Sequence, residues 1–426
     1  MPIRPGTNRR QHSPLRYATA TIAACVLLLP AIFAHATTYA GAAPTPAFSI
    51  RSLGYLSAGT QSFATGINAR GDVSGYGETY RTHYPRYSRP DVAFVFTKGR
   101  LVKLGLPPGS QQSFADGLND RGQIAATAER ADQQGHLMAY VVTLSNHGPI
   151  WTKLPEPSGP YPYGSPSAIN NSGDIAGQSP AVGNSHAAVW LPKGGRYVLD
   201  RSWLPLSNLS FMNGIDNSGD VVGTDNGTFT HQVRKPLLWL GPVHQPLDLG
   251  CSQYTAGIHA HCVKSTPGEA LAVVRGRIFI YAVGTTSTSI FSILLRAVLW
   301  SYSTVDMGLM TTSRPNVTIL PLLKGYKLCK ADAVNDKGWI VGEMDTFSGD
   351  YARQAAKTQS ARRLKGSLQS GPAVLWLNHT VYNLNRLIPQ HSGWNLLQAT
   401  GINASGQIVG NGVYKGRQTA FLLTPK

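Results

Sequence analysis

Short apolar segments flank a recurring Asn-x-x-Gly turn along most of the chain. The turns are Asn68 to Gly71, Asn119 to Gly122, Asn170 to Gly173, Asp216 to Gly219, Asn335 to Gly338 and Asn403 to Gly406. A seventh, degraded copy is read at Ala256-Gly257-Ile258-His259, where histidine takes the asparagine position. Asparagine or aspartate can hydrogen-bond its own backbone two residues on, and glycine supplies the positive φ that closes such a turn. The apolar segments on either side, such as Ala64 to Ile67 and Val73 to Gly75, then form the two strands of a hairpin.

A third strand follows in each unit: Ala93–Phe96, Ala139–Val142, Ala187–Trp190, Leu237–Trp239, Ala297–Trp300, Ala373–Trp376 and Ala420–Leu423. A short turn such as Lys98-Gly99-Arg100 leads to a fourth, at Leu101–Leu106, Trp151–Leu154, Tyr197–Asp200, Leu247–Gly250, Val305–Gly308 and Val381–Leu384. Four antiparallel strands per unit, repeated at 43 to 51 residues with two wider gaps, are the signature of propeller blades. The last unit ends after its third strand, while Leu53-Gly54-Tyr55-Leu56 precedes the first unit as a spare fourth. The pattern therefore predicts an all-β, seven-bladed β-propeller whose N-terminal strand completes the last blade. An open solenoid would carry polar capping repeats, and none is evident.

These units resemble those of the HAF family of extracellular repeat proteins, which share a Gly-Ile-Asn-x-x-Gly-x-Val-x-Gly core. The resemblance covers roughly residues 50 to 426. The tripeptide that names the family is matched only in part, at Val92-Ala93-Phe94, His186-Ala187-Ala188 and Thr419-Ala420-Phe421. The resemblance implies export and a β-rich repeat fold and carries over no catalytic residues.

The N-terminus adds a location. Arg4, Arg9, Arg10 and Arg16 precede an apolar run from Ala18 to Ala34 that ends in the small-x-small tripeptide Ala34-His35-Ala36. This is the layout of a Sec-type signal peptide over residues 1–36, with a linker to residue 49 and one propeller domain over 50–426. An uncleaved anchor is the rival, since the run approaches the ~17 residues that span a bilayer; Pro30, Thr19 and Thr21 weaken it. The expected location is periplasmic or extracellular, with no membrane span after cleavage.

Composition supports an ordered, helix-poor chain: 14% charged residues, 42% hydrophobic residues, 45 Gly and 28 Pro. Without the four leader arginines the formal charge falls from +17 to about +13. Of the cysteines beyond the leader, Cys251 and Cys262 are the preferred disulfide, with pairing of Cys329 to either left open. No cysteine or histidine spacing suits zinc, and the turns lack the clustered carboxylates that a strong calcium site needs. No cofactor is expected.

Chain connectivity puts the Asn-x-x-Gly turns on one rim and the longer links on the other. Those links vary (Tyr76 to Pro90, Gly177 to His186, Glu343 to Gly371, with insertions near 251–296 and 343–371), which is how scaffolds display binding loops. On that rim Tyr80, Arg81, His83, Tyr84, Arg86, Tyr87 and Arg89 interleave aromatic and basic side chains, suited to sugars and anions if the loop is more than a solvated connection. Arg353, Lys357, Arg362, Arg363 and Lys365 form a basic run that a simple tether would also explain. The apolar stretch from Arg277 to Trp300 reads as a buried hairpin. No nucleophile elbow, His-Glu-x-x-His or phosphate loop is present. The sequence thus predicts an exported, monomeric, non-enzymatic binding module for a glycan, a cell-envelope component or a protein, not for nucleic acid. The alternative is a glycosidase or lyase with carboxylates at the propeller mouth.

Overall fold

The computed structural model describes residues 46–57, 59–79, 90–131, 136–156, 164–181, 184–200, 210–226, 234–241, 243–254, 262–287, 295–303, 315–345 and 370–426. Over residues 46–426 the chain forms seven four-stranded antiparallel sheets. Blades I to VI take residues 62–105, 110–153, 165–200, 210–248, 268–319 and 328–383. Blade VII takes Trp394–Ile402, Ile408–Tyr414, Arg417–Pro425 and, from the other end of the chain, Phe48–Ser52. The first strand of each blade packs against the first strand of the next, and blade VII returns to blade I, which closes the ring. This is the predicted seven-bladed propeller.

The closing strand lies earlier than expected. Phe48–Ser52, not Leu53–Leu56, pairs with Arg417–Pro425, in a register from Phe48↔Pro425 to Ser52↔Phe421. Leu53 still donates to the Ala420 carbonyl at 3.0 Å, but Gly54 (φ +84°) turns the chain out of the sheet. Leu53 and Leu56 then bury themselves beside blade I. The domain accordingly begins near residue 46, slightly before the expected boundary.

The fifth blade differs more. The degraded copy expected at residues 256–259 lies outside the described residues, and the segments before and after it, Cys251–Tyr254 and Cys262–Ser265, pair in a separate ribbon between blades IV and V in the chain. Blade V opens instead with Gly268–Arg275, whose hairpin turns at Gly276 without asparagine. Its outer strand is Asn316–Ile319; the expected Val305–Gly308 lies outside the described residues. The apolar stretch from Arg277 does form a hairpin, Phe279–Ser287 with Leu295–Ser303. The Gly177 to His186 link is shorter than expected because the strands continue to Ala181 and resume at Asn184. Cys251 is disulfide-bonded and Cys329 is a free, buried thiol; Cys262 lies on the strand paired with that of Cys251.

Two features of the repeat build every blade. Each inner strand carries a β-bulge at the same place, for example between Ala64 and Gly66 and between Ala331 and Ala333. Opposite the bulge sits the final glycine of the motif, except in blade II, where Ala126 takes its place. A Cβ at Gly75, Gly223, Gly284, Gly342 or Gly410 would lie 1.9–2.2 Å from a carbonyl oxygen of the inner strand. The motif's glycine is thus a requirement of strand approach rather than of turn conformation.

Asparagine does more than shape the turn. Asn68 Oδ1 accepts the Arg70 and Asp72 amides, while Asn68 Nδ2 donates to the Asn119 carbonyl of the next blade at 3.1 Å. Asn119, Asn170, Asn335 and Asn403 make the same blade-to-blade bond, the last of them reaching back to the Asn68 carbonyl. A second tier links neighbours through hydroxyls: Ser113, Ser210 and Ser62 accept from the amides of Ala93, Ala187 and Ala420. Cys329 takes the serine position in blade VI and accepts from Ala297, which accounts for its burial. Cys329→Ser should therefore change stability by less than about 1 kcal/mol. Cys329→Val, which orphans the Ala297 N–H, should cost about 1–3 kcal/mol in denaturant unfolding.

The asparagine tier breaks between blades IV and V. Asp216 accepts the Ser218 and Asp220 amides through Oδ1, but its Oδ2 is buried without a hydrogen-bond partner. Arg275 of blade V spans the gap with a two-pronged ion pair to Asp220 at 2.8 and 2.6 Å. Burial, reinforced by Asp220, pushes the Asp216 carboxyl up to about 6. Between about pH 4 and 6 the folded state therefore binds a proton that the unfolded chain has released. Stability attached to that proton is fully present at low pH and lost as pH rises through about 6. Asp216→Asn keeps both Oδ1 bonds and adds a donor. It should raise stability at pH 7 by on the order of 2 kcal/mol and flatten this part of the pH profile, measured by unfolding at pH 4 and pH 7.

Candidate binding site at the propeller axis

The bulge in each inner strand sets aside one residue: Thr65, Asp116, Ser167, Asn213, Leu271, Asp332 and Thr400 in blades I to VII. Bulges commonly re-aim a side chain in this way. Residues from blades I, IV, V, VI and VII line one cavity of about 360 Å³, among them Thr65, Asn213, Leu271, Asp332 and Thr400. Blades I and IV are not neighbours in the ring, so a cavity that both of them line lies on the axis. Phe63, Tyr76, Gln398 and Asn411 also line it. Phe63 and Gln398 precede the bulge in strands that run toward the asparagine turns, so they stand on the side of the longer links.

One wall is aromatic. Phe63 and Tyr76 stack with centroids 5.1 Å apart, and Phe114 of blade II meets Tyr76 edge-on at 5.0 Å. The other wall is polar and charged. Lys330 and Asp332 form an ion pair at 2.7 Å, and Gln398 Nε2 donates to Asp332 Oδ2 at 3.3 Å. Asp332 holds the Lys330 ammonium above the usual lysine range. Glu343, opposite Lys330 in register, is pushed up to about 8, by burial first and then by Asp332, against the pull of Lys330. Glu269 of blade V pairs with Arg234 on the exposed side.

Part of this polarity serves the ring itself. Thr65 donates to the Ala115 carbonyl, Asn213 to Ala270, and Thr400 to Ala64, each in the next blade. Asn411 Oδ1 accepts the Ala64 amide at 2.9 Å. Asp332 and Gln398 are different: their described side-chain bonds run to Lys330 and to each other, across the cavity wall rather than to a neighbouring blade's backbone.

No protein-family model matches the chain, and no curated protein matches it. Solved structures do. A sialidase from Trypanosoma rangeli aligns over 60% of this chain and 45% of its own, with 11% identity and a TM-score of 0.36. The β-propeller domain of the trilobed protease from Pyrococcus furiosus aligns over 86% and 84%, with 7% identity and a TM-score of 0.32. An α-L-arabinanase from Penicillium chrysogenum aligns over 90% and 99%, with 8% identity and a TM-score of 0.32. The likeness is one of fold. The chain spans less than half the length of the sialidase.

The loop from Tyr80 to Arg89 (Tyr80, Arg81, His83, Tyr84, Arg86, Tyr87, Arg89) and the basic run Arg353, Lys357, Arg362, Arg363 and Lys365 lie outside the described residues. The turn residues are placed as expected, with Gly71, Gly122, Gly173, Gly219, Gly338 and Gly406 all at φ between +74° and +93°. Among the described residues no group of His, Cys, Asp and Glu is arranged to hold a metal, and no helix is long and apolar enough to cross a membrane. The axial residues escaped the motif reading. Their signal was the one position before Gly66, Gly117, Gly214 and Gly401, and before Ala168, Ala272 and Ala333, where polarity varies while the rest of the repeat holds.

Proposed function

We propose that the protein is an exported, non-enzymatic binding module of the HAF-repeat type, holding a glycan or another envelope component on the long-link side. The observation that carries this reading is the axial cavity, which combines an aromatic wall with amide and hydroxyl side chains. Small-ligand sites are typically concave, largely apolar and fitted with a few polar groups. Acid–base hydrolysis would need two carboxylates facing one reacting bond. Among the described residues only one carboxylate lines the cavity, Asp332, and it is engaged by Lys330 and Gln398.

A second reading has one observation in its favour. Glu343 keeps its proton near neutral pH beside an ion-paired Asp332, a division of labour that glycosidases use. A glycan array run in parallel with a sugar-release assay separates the two. Retention of a glycan with no released sugar is the expected result. Turnover that disappears in Glu343→Gln would replace the binding reading with the enzymatic one.

A further inference from the structure

We propose that the axial cavity takes the terminal residue of an uncharged glycan, inserted end-on from the long-link side. This rests on the glycan-binding reading above and adds where and which.

The geometry limits the approach. The cavity is walled by inner strands on opposite sides of the ring, so a polysaccharide lying across the molecule would have to pass through the wall. That wall has no seam where the termini meet. Blade VII holds blade I through the Asn403 to Asn68, Thr400 to Ala64 and Asn411 to Ala64 hydrogen bonds, in addition to the paired N-terminal strand. At the opposite rim the asparagine turns of blades VI, VII, I, II, III and IV are tied to one another in sequence. A cavity of about 360 Å³ ringed by inner strands in this way admits the end of a chain rather than its middle.

The chemistry selects the end. Stacked Phe63 and Tyr76 offer an apolar wall to the C–H face of a sugar ring. Asp332 and Gln398, hydrogen-bonded to each other, offer acceptors and a donor that suit a pair of adjacent hydroxyls. Charge excludes an acidic sugar. Lys330 is already balanced by Asp332, which leaves no unbalanced cation among the described residues of the wall for a ligand carboxylate. The preference therefore runs against the chain's overall charge of +17, which by itself favours anionic partners.

The test uses the exported protein with linear malto-, cello-, xylo- and chito-oligosaccharides, oligogalacturonate as the acidic series, and cyclomaltohexaose as a sugar without ends. At least one neutral linear series should bind, with the acidic series at least tenfold weaker at physiological salt. Asp332→Asn and, separately, Gln398→Leu should each weaken binding about tenfold, the loss of roughly one good hydrogen bond. Unchanged thermal unfolding of Gln398→Leu establishes that the loss is local. Binding of neutral glycans that neither substitution alters, or equal binding of cyclomaltohexaose and linear maltohexaose where the malto-series binds, would overturn the axial assignment and leave the glycan reading standing. Stronger binding of oligogalacturonate would overturn the charge argument. Failure to retain any sugar would remove the glycan reading and this inference with it.

Discussion

Phe48→Ala is expected to cost about 3–5 kcal/mol of stability, as large as truncations in the centre of a core, although the residue sits within a few positions of the start of the described fold. Phe48 is only 1% exposed and packs with Leu375, Leu384, Leu387, Leu396, Phe421 and Leu423, which belong to blades VI and VII or the segment between them. Its neighbours Ser49 and Arg51 face solvent, so the cost should be confined to one side of the strand: Ser49→Ala should change stability by less than about 0.5 kcal/mol. Denaturant unfolding of both variants provides the comparison. Equal, small effects would mean that the first strand does not contribute to the last blade.

Gly410→Ala is expected to be nearly as damaging, at about 2–4 kcal/mol, for the smallest possible increase in volume. An added Cβ would fall 2.0 Å from the Gln398 carbonyl oxygen, 2.7 Å from the Phe421 ring and 2.8 Å from the Ala399 Cα. Two of these three are backbone atoms, and relief would require the inner strand of blade VII to separate from its partner. Blade II carries a Cβ at the corresponding position, where Ala126 stands opposite Ala115. A fall in unfolding midpoint without any change in the denaturant slope is the signature of such local strain. A variant as stable as the parent would show that the close approach of the two strands is not required.

The contrast between these sites explains what could be read from the chain alone. The Asn-x-x-Gly turns are local: each asparagine caps its own turn within four residues, so the motif survives in sequence wherever the turn survives. The same holds for the third strands, whose continuous burial leaves runs such as Ala373-Val374-Leu375-Trp376. Blade V was misplaced because its substitute for the asparagine link is long-range. Arg275 reaches Asp220, 55 residues away, and no periodicity marks such a pair. The closing strand was displaced by a few residues because five positions of alternation, Phe48 to Ser52, are a weak signal beside the more apolar Leu53 and Leu56. Cys329 looked like a candidate for a disulfide, yet it is a serine substitute in a blade-to-blade bond; only its hydrogen bond from the Ala297 amide shows this. The axial cavity was the least legible part. Its residues are collected from five blades, in part by a bulge that repeats in geometry while its side chain varies around the ring.

Closure of the ring by the N-terminal strand underlies the cavity, the end-on inference and the choice of binding face. It is tested most directly by joining the two chain ends covalently. Ser49 and Thr424 are register partners, and the Ser49 hydroxyl donates to the Thr424 carbonyl at 3.2 Å. In a Ser49→Cys, Thr424→Cys variant, peptide mapping without reduction should recover a disulfide between these two positions within one chain. It should form at high yield in the native protein and not after unfolding. Free thiols at both positions in the folded protein, or cross-links formed only between molecules, would mean that the ring is not closed this way.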